Sequence, residues 1–313
     1  MKIPVVAIVG PTAVGKTKLS VKIAKRFNGE IISGDSMQVY KGLDIGTAKV
    51  TKDEMQGIPH YMIDIKNPEE SFSVAEFKDK VQGYIEYIHN KGALPIIVGG
   101  TGLYIQSTLY QFNFADEGRD PAFVQKIETE IDQNGIDEVY QRLVAVDPEQ
   151  AQKIHPNNRR RVIRALEVYE KTGLTMSELH AKQRRESPYN PIIIGLTMER
   201  EELYRRINNR VDQMVEDGLV EEVKYFYDKG LKHAQSMRGI GYKELIPYFE
   251  GDISMEYAIE QLKQNSRRYA KRQFTYFRNK LDVHWYPVSV PTIEHIFSII
   301  LRDLEGMLKE VPK

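Results

Sequence analysis

One eight-residue stretch narrows the possible folds before anything else: Gly10-Pro11-Thr12-Ala13-Val14-Gly15-Lys16-Thr17. It matches G-x-x-x-x-G-K-[ST], follows directly on the apolar run 5–9 and opens directly into a helical pattern over 16–27, which is the context that motif requires. The glycines let backbone N–H groups turn inward as an anion nest, and the helix N-terminus adds positive potential. Lys16 is placed to neutralise phosphate charge, and the Thr17 hydroxyl can ligate Mg²⁺. The competing reading is a glycine-containing turn with no ligand.

Further short apolar runs at 30–32, 61–65, 95–98, 192–196 and 284–286 read as buried strands, with helical patterns such as 16–27 and 74–90 between them. Alternating strand and helix predict an α/β fold with a doubly wound, mainly parallel sheet flanked by helices. From 113 to 190 the character changes to helical periodicity at 122–134, 136–144 and 158–171, with basic residues and no β-branched run. This predicts an inserted all-helical domain over 114–189 in a core made of 1–113 and 190–313, leaving through the turn-rich Ser187-Pro188-Tyr189-Asn190-Pro191. Beyond the strand at 192–196, one helix is expected over 200–229, a loop over 236–241 and a helix over 255–281.

A phosphate loop does not say which phosphate. An ATPase or GTPase also wants an apolar strand ending in a metal-binding aspartate. The strand expected at 94–98 ends instead in Gly99-Gly100-Thr101-Gly102, which carries no acid. The one acid well placed at a strand end is Asp35, after Ile31-Ile32-Ser33-Gly34, and ligands of open α/β sheets bind at such ends. Asp35 is therefore a metal ligand, a general base, or simply a turn or N-cap aspartate. The glycines at 99–102 read either as part of a site or as close packing of a strand-to-helix turn.

The formal net charge is zero, which argues against a protein that coats nucleic acid non-specifically, so the distribution of charge matters more than its sum. Arg159, Arg160, Arg161 and Arg164 crowd one helical pattern, flanked by Lys153, His155, Lys182, Arg184 and Arg185. In the last long helical pattern, Ala270, Phe274, Phe277 and Leu281 form an apolar stripe beside Arg267, Arg268, Lys271, Arg272 and Arg278, and no acid occurs from 261 to 280. Two one-signed stretches in a neutral chain point to a polyanion partner, where ordinary solvated faces would mix both signs. Tyr269 and Tyr276 interleave with these charges and are placed to stack on unpaired bases, whereas Phe277 reads as packing. The chain has no cysteine, which excludes disulfides and cysteine-ligated metal. Neither a signal peptide nor an apolar run of membrane-spanning length is present, so a soluble cytoplasmic protein is expected, with no membrane and no obligate protein partner.

The ordered set of motifs resembles one family. The residues 10–17, then Ser33-Gly34-Asp35-Ser36-Met37-Gln38-Val39-Tyr40, Leu43-Asp44-Ile45-Gly46-Thr47-Ala48-Lys49, Pro59-His60-Tyr61, Gly99-Gly100-Thr101-Gly102-Leu103-Tyr104, the run 160–168 and Ser236-Met237-Arg238-Gly239-Ile240-Gly241-Tyr242-Lys243-Glu244 are similar, collinearly from end to end, to those of the tRNA dimethylallyltransferases (tRNA isopentenyltransferases), bacterial type. The resemblance implies transfer of a dimethylallyl group from dimethylallyl diphosphate to N6 of the adenine immediately 3′ of the anticodon, with Mg²⁺ and release of pyrophosphate. It implies that residues 10–17 hold the diphosphate together with Lys16 and a Thr17-bound Mg²⁺. Asp35 would accept the N6 proton, and Thr101 would help hold the reacting amine or the bridging oxygen. Ser36, Met37 and Gln38 would line the adenine pocket. The insertion, with Arg159, Arg160, Arg161 and Arg164, would grip the anticodon stem-loop, and the 236–244 loop, with Arg238, Gly239, Gly241 and Lys243, is suited to hold the flanking nucleotides of a flipped base. Arg206 and Arg210, one helical turn apart, either add to the diphosphate clamp or decorate a solvated face. Asn158 and Tyr276 stand where relatives often carry aspartate and tryptophan.

Three other readings compete: a small-molecule P-loop kinase, a prenyltransferase acting on free AMP, and a non-catalytic RNA-binding protein with a vestigial P-loop. A kinase gives no use to the basic insertion, free AMP needs no anticodon grip, and a vestigial loop has no reason to keep Lys16, Thr17, Asp35 and Thr101 together.

Overall fold

The computed structural model describes residues 2–110, 112, 120–181 and 186–310. The chain divides into two compact units, Met1–Tyr110 with Ser187–Lys313, and Gln111–Glu186. The divisions fall at 110/111 and 186/187, where the sequence pattern suggested 113/114 and 189/190; the first of those expected borders lies outside the described residues. Inside the first unit the two connections are tied together, because the Ser187 hydroxyl donates to the Leu109 carbonyl at 2.5 Å.

The first unit is built on a six-stranded sheet among the described residues: β1 (Pro4–Val9), β2 (Gly29–Ser33), β3 (His60–Tyr61), β4 (Leu94–Val98), β5 (Asn190–Thr197) and β6 (His284–Pro287), in the order β3-β2-β4-β1-β5-β6. Every pairing is parallel, with Val6 opposite Ile96 and Ile192. Because strand side chains alternate between faces, the same apolar runs feed two cores. Val5, Ala7, Val9, Ile32 and Ile97 pack under the helices Val74–Asn90, Leu219–Asp228 and Met255–Lys280. Val6, Ile8, Ile31, Ile96 and Ile194 pack under Lys16–Phe27, Arg200–Glu216 and Ile293–Glu310. Burial of such side chains at roughly 1.5–3 kcal/mol each drives both layers together.

Two elements differ from the sequence pattern. The apolar run 61–65 leaves the sheet after Tyr61, because Met62 and Asp64 take left-handed φ of 65° and 55°, which no ladder can continue. Its backbone turns instead to the 38–40 segment, with Ile65 N–H donating to the Val39 carbonyl at 2.9 Å. The single helix expected over 200–229 is two, Arg200–Glu216 and Leu219–Asp228, broken at Gly218 with φ 100°.

The second unit holds the helices Pro121–Asn134, Ile136–Val146, Pro148–Lys153, Arg159–Thr172 and Met176–Ala181 among its described residues. Ile127, Ile131, Val139, Leu143, Val162 and Leu166 form its own small core. Asp120, Asp147 and Asn158 cap three of these helices through their side-chain oxygens.

Candidate active site

The strand order explains the site. β1 and β2 flank β4, so the segments leaving these three strands at their carboxyl ends are neighbours: residues 10–17 after β1, Asp35 after β2, and residues 99–102 after β4. They are stitched together by backbone bonds, Gly34 N–H to the Val98 carbonyl at 2.7 Å and Gly99 N–H to that of Ile8 at 3.2 Å.

The turn after β4 is glycine-rich because its neighbours leave no room. A Cβ on Gly99 would lie 2.3 Å from the Gly34 carbonyl oxygen, one on Gly100 1.9 Å from the Gln273 amide nitrogen, and one on Gly102 2.2 Å from the Tyr276 ring. These glycines serve close packing, and Thr101 is the one side chain the turn displays. In the P-loop, a Cβ on Gly10 would meet the Leu196 carbonyl oxygen at 2.5 Å, while Gly15 takes φ 106° to start the helix.

Lys16 folds back over the loop, its Nζ donating to the carbonyls of Gly10 at 3.0 Å and Pro11 at 2.7 Å. Arg206 Nε donates to the Ala13 carbonyl at 2.8 Å, and Arg210 Nη1 to the Thr12 hydroxyl at 3.5 Å. Both arginines therefore lie against the loop of residues 10–17 and not on a solvated helix face. Thr17 is exposed at the start of the helix. Gln273 was not foreseen. Its Oε1 accepts from Thr12 N–H at 2.9 Å and its Nε2 donates to the Gly100 carbonyl at 3.1 Å, so one buried amide joins the P-loop to the turn after β4. The signal was in the sequence: a polar residue at position i+3 of the stripe Ala270, Gln273, Phe277, all buried, whereas Phe274 is half-buried against Trp285.

Asp35 is half-buried, and its Oδ1 accepts from the N–H groups of Met37 at 2.8 Å and Gln38 at 3.3 Å, which leaves Oδ2 to take a further proton. Desolvation lifts its pKa above the ordinary carboxylate value, against the pull of those two N–H groups and of the Lys16 and Arg210 charges. Thr101 Oγ1 accepts from Ser36 N–H at 3.3 Å and shares a hydrogen bond with the Tyr269 hydroxyl, which burial pushes up to about 12. The Gln38 amide is engaged with its own wall: Oε1 accepts from the Ser33 hydroxyl and Nε2 donates to the carbonyls of Thr47 and Ala48.

Two cavities meet here. The larger, about 560 Å³, holds Lys16, Thr17, Lys18, His60 and Arg206. The smaller, about 340 Å³, holds Ser36, Met37, Arg238, Gly239, Lys243 and Arg272. Thr12, Asp35, Thr47, Ala48, Arg210 and Tyr269 line both, so Asp35 stands at the junction between a cationic phosphate cradle and a second chamber with a cationic rim. Gly241 does not line either cavity; with φ 105° it packs against Gly46.

The basic stretches are less one-signed in space than in sequence. Arg159 pairs with Asp132 at 2.6 Å, Arg164 with buried Glu167 at 2.8 Å, and Lys153 with Glu149 at 2.6 Å, while Arg160 and Arg161 are exposed. Lys182, Arg184 and Arg185 lie outside the described residues. On the helix Met255–Lys280, Arg267 pairs with Glu260 and Lys263 with Asp212, while Arg268, Lys271, Arg272 and Arg278 remain exposed.

A sequence model of the IPP transferase family matches residues 38–280. The chain belongs to this family. It is similar to the tRNA dimethylallyltransferase of Oceanobacillus iheyensis, 57% identical over 99% of both chains, and to that of Bacillus cytotoxicus, 59% identical over 97% of this chain and 96% of that one. Among solved structures it resembles the full-length tRNA isopentenylpyrophosphate transferase of Bacillus halodurans, with 51% identity, a TM-score of 0.75 and coverage of 99% and 98%. It also resembles a eukaryotic dimethylallyltransferase acting on tRNA, with 31% identity, a TM-score of 0.82 and coverage of 97% of this chain and 80% of that one. The α/β sheet and the IPP transferase membership agree with the resemblance drawn from the motifs.

The electrostatics of this IPP transferase site turn on the burial of Lys16. Desolvation, then the charge of Arg210, lowers Lys16 to about 7, against the smaller opposing pull of Asp35. An anion such as a diphosphate, if bound beside Lys16, would favour the protonated lysine. Because burial lowers the Lys16 pKa, binding of a diphosphate is expected to be accompanied by proton uptake. Above pH 7 affinity should weaken, by as much as about tenfold per pH unit. Titration calorimetry in two buffers of different ionisation enthalpy measures the uptake, which Lys16→Met should remove.

Proposed function

We propose that this protein is a tRNA dimethylallyltransferase that moves the dimethylallyl group of dimethylallyl diphosphate to N6 of the adenine 3′-adjacent to the anticodon and releases pyrophosphate. The observation that carries this reading is Asp35 at the junction of the two cavities, between a P-loop cradle and a chamber rimmed by Arg238, Lys243 and Arg272. The phosphates lie in the larger cavity on the nest of residues 10–17, under Lys16, Arg206 and Arg210. The target base, flipped from its loop, enters the smaller chamber between Ser36, Met37 and Gly239, and Asp35 meets its amino group.

The adenine amine is a poor nucleophile because its lone pair is delocalised into the ring. As the new N6–C bond forms, the bond between the allylic carbon and the bridging oxygen breaks, its electron pair leaves with the diphosphate, and the N6 proton passes to Asp35 Oδ2. The general base contributes about 10²- to 10⁴-fold. Lys16, Arg210 and the P-loop amides hold the charge growing on the leaving oxygens. The exposed Thr17 hydroxyl at the helix N-terminus suits Mg²⁺, which takes few protein ligands and keeps phosphates and waters as the rest. When bound there it supplies further charge for the departing diphosphate. Arg160 and Arg161 in the insertion are free of carboxylate partners among the described residues and suit the phosphates of an anticodon stem. No described helix is long and apolar enough to cross a membrane. A tRNA substrate places the work in the cytoplasm.

Incubation with Mg²⁺, allyl-labelled dimethylallyl diphosphate and either unmodified tRNA, AMP or no acceptor tests the proposal. Label should enter tRNA alone. Label in AMP, or none anywhere while ATP is consumed, overturns it.

A further inference from the structure

The motif Leu43 to Lys49 lies in neither the P-loop nor the Asp35 turn, yet it forms a wall of the site. Thr47 and Ala48 line both cavities and Gly46 lines the smaller one. This wall has little regular structure of its own and is held from outside. Glu222, on the helix Leu219–Asp228, accepts three consecutive backbone N–H groups: those of Asp44 at 2.9 Å and Ile45 at 2.8 Å on Oε2, and that of Gly46 at 3.0 Å on Oε1. Its Oε1 also accepts from the Tyr242 hydroxyl at 2.5 Å. The Tyr242 ring is fully buried against Gly46, where a Cβ would come within 2.6 Å of it. Glu222 thereby joins two sequence motifs, 43–49 and 236–244, that never meet along the chain. At the far end of the wall Lys49, whose side chain is 6% exposed, donates to the Tyr40 carbonyl at 2.8 Å, Asp44 at 2.5 Å and Asp64 at 2.6 Å.

The wall in turn grips the proton acceptor's neighbour. The carbonyls of Thr47 and Ala48 accept from Gln38 Nε2 at 3.2 and 3.3 Å, and Gln38 N–H donates to Asp35 Oδ1 at 3.3 Å. We infer that Glu222 is a positioning residue of the acceptor chamber: it moulds residues 44–48 and, through Gln38, fixes where Asp35 presents its free oxygen. A carboxylate is required, because only an acceptor with two oxygens and no protons satisfies three N–H groups and a hydroxyl at once. The groups that face the phosphates come from β1, Gln273 and the Arg200–Glu216 helix, none of which Glu222 bonds, so its reach into the larger cavity is limited to Thr47 and Ala48 on the rim.

The inference rests on the prenyl-transfer reading of the site. Its test is Glu222→Gln, in which an NH₂ group faces backbone donors, assayed beside the wild-type protein for transfer to tRNA and for diphosphate binding. Misplacing a reacting group by about 1 Å costs on the order of 10²-fold, so kcat should fall by about that factor, while the Kd for dimethylallyl diphosphate stays within about twofold. The acid limb of the kcat profile should move to higher pH, because Asp35 loses a bond that lowers its pKa. Tyr242→Phe keeps the ring on Gly46 and removes one bond, so it should show the same split with a smaller loss; it carries the test if Glu222→Gln fails to fold. Unchanged kcat and acid limb, or a loss of kcat matched by an equal weakening of diphosphate binding, overturns the inference. A wild-type protein that transfers nothing to tRNA overturns the proposed function instead.

Discussion

Replacing Asp35 with alanine is expected to lower kcat for transfer to tRNA by about 10²- to 10⁴-fold, with tRNA binding nearly intact. In the proposed mechanism the carboxylate acts only as the N6 proton leaves, so ground-state binding has little to lose. Alanine also releases the N–H groups of Met37 and Gln38, which Asp35 Oδ1 now holds. Asp35→Asn separates the two roles, since an amide oxygen still accepts both N–H groups but takes no proton. Asparagine should be about as slow as alanine. If it recovers most of the turnover, Asp35 shapes the loop and does not serve as the base. The ionised form is the active one and burial raises its pKa, so wild-type activity should be lost on acidification at a pH above the ordinary carboxylate range of about 4.

Lys16→Met should cost about 10²- to 10³-fold in kcat/KM, the scale seen when one preorganised donor to a developing oxyanion is removed. Methionine keeps most of the length and the apolar stem but loses the charge over the departing phosphates, and the carbonyls of Gly10 and Pro11 lose their donor. A second effect separates this change from general damage. The Lys16 charge helps hold the Asp35 pKa down, so without it the acid limb of the pH profile should move further toward neutrality. Steady-state kinetics across pH measures both. An acid limb that does not move would mean that the two side chains are not electrostatically coupled.

The strand, loop and helix around residues 10–17 were legible in the sequence because their determinants are local: eight consecutive residues between a strand and a helix. Asp35 was legible as an acid at a strand end, but its role was not, since base, metal ligand and turn residue all fit that spacing. The surroundings that favour the base are non-local. Strand order puts β4 between β1 and β2, and no periodicity encodes that order. Gln273 reaches Thr12 across 261 positions and Glu222 reaches Asp44 across 178. A polar residue on an apolar stripe was the one visible trace of the first, and the second left none. How the charge runs pair in space was hidden for the same reason, because Asp132 meets Arg159 from another helix. Gly218 did announce the helix break after Glu216, but the apolar spacing continues on both sides and hides it.

The central claim is that the phosphates held by residues 10–17 are the leaving group, not the group transferred. Dimethylallyl diphosphate carrying ¹⁴C in the allyl group and ³²P in the diphosphate, reacted with unmodified tRNA and Mg²⁺, tests it in one tube. The account predicts ¹⁴C in tRNA and ³²P in free pyrophosphate, in equal amounts. Phosphorus label on tRNA, or carbon label that never leaves the small-molecule pool, contradicts it.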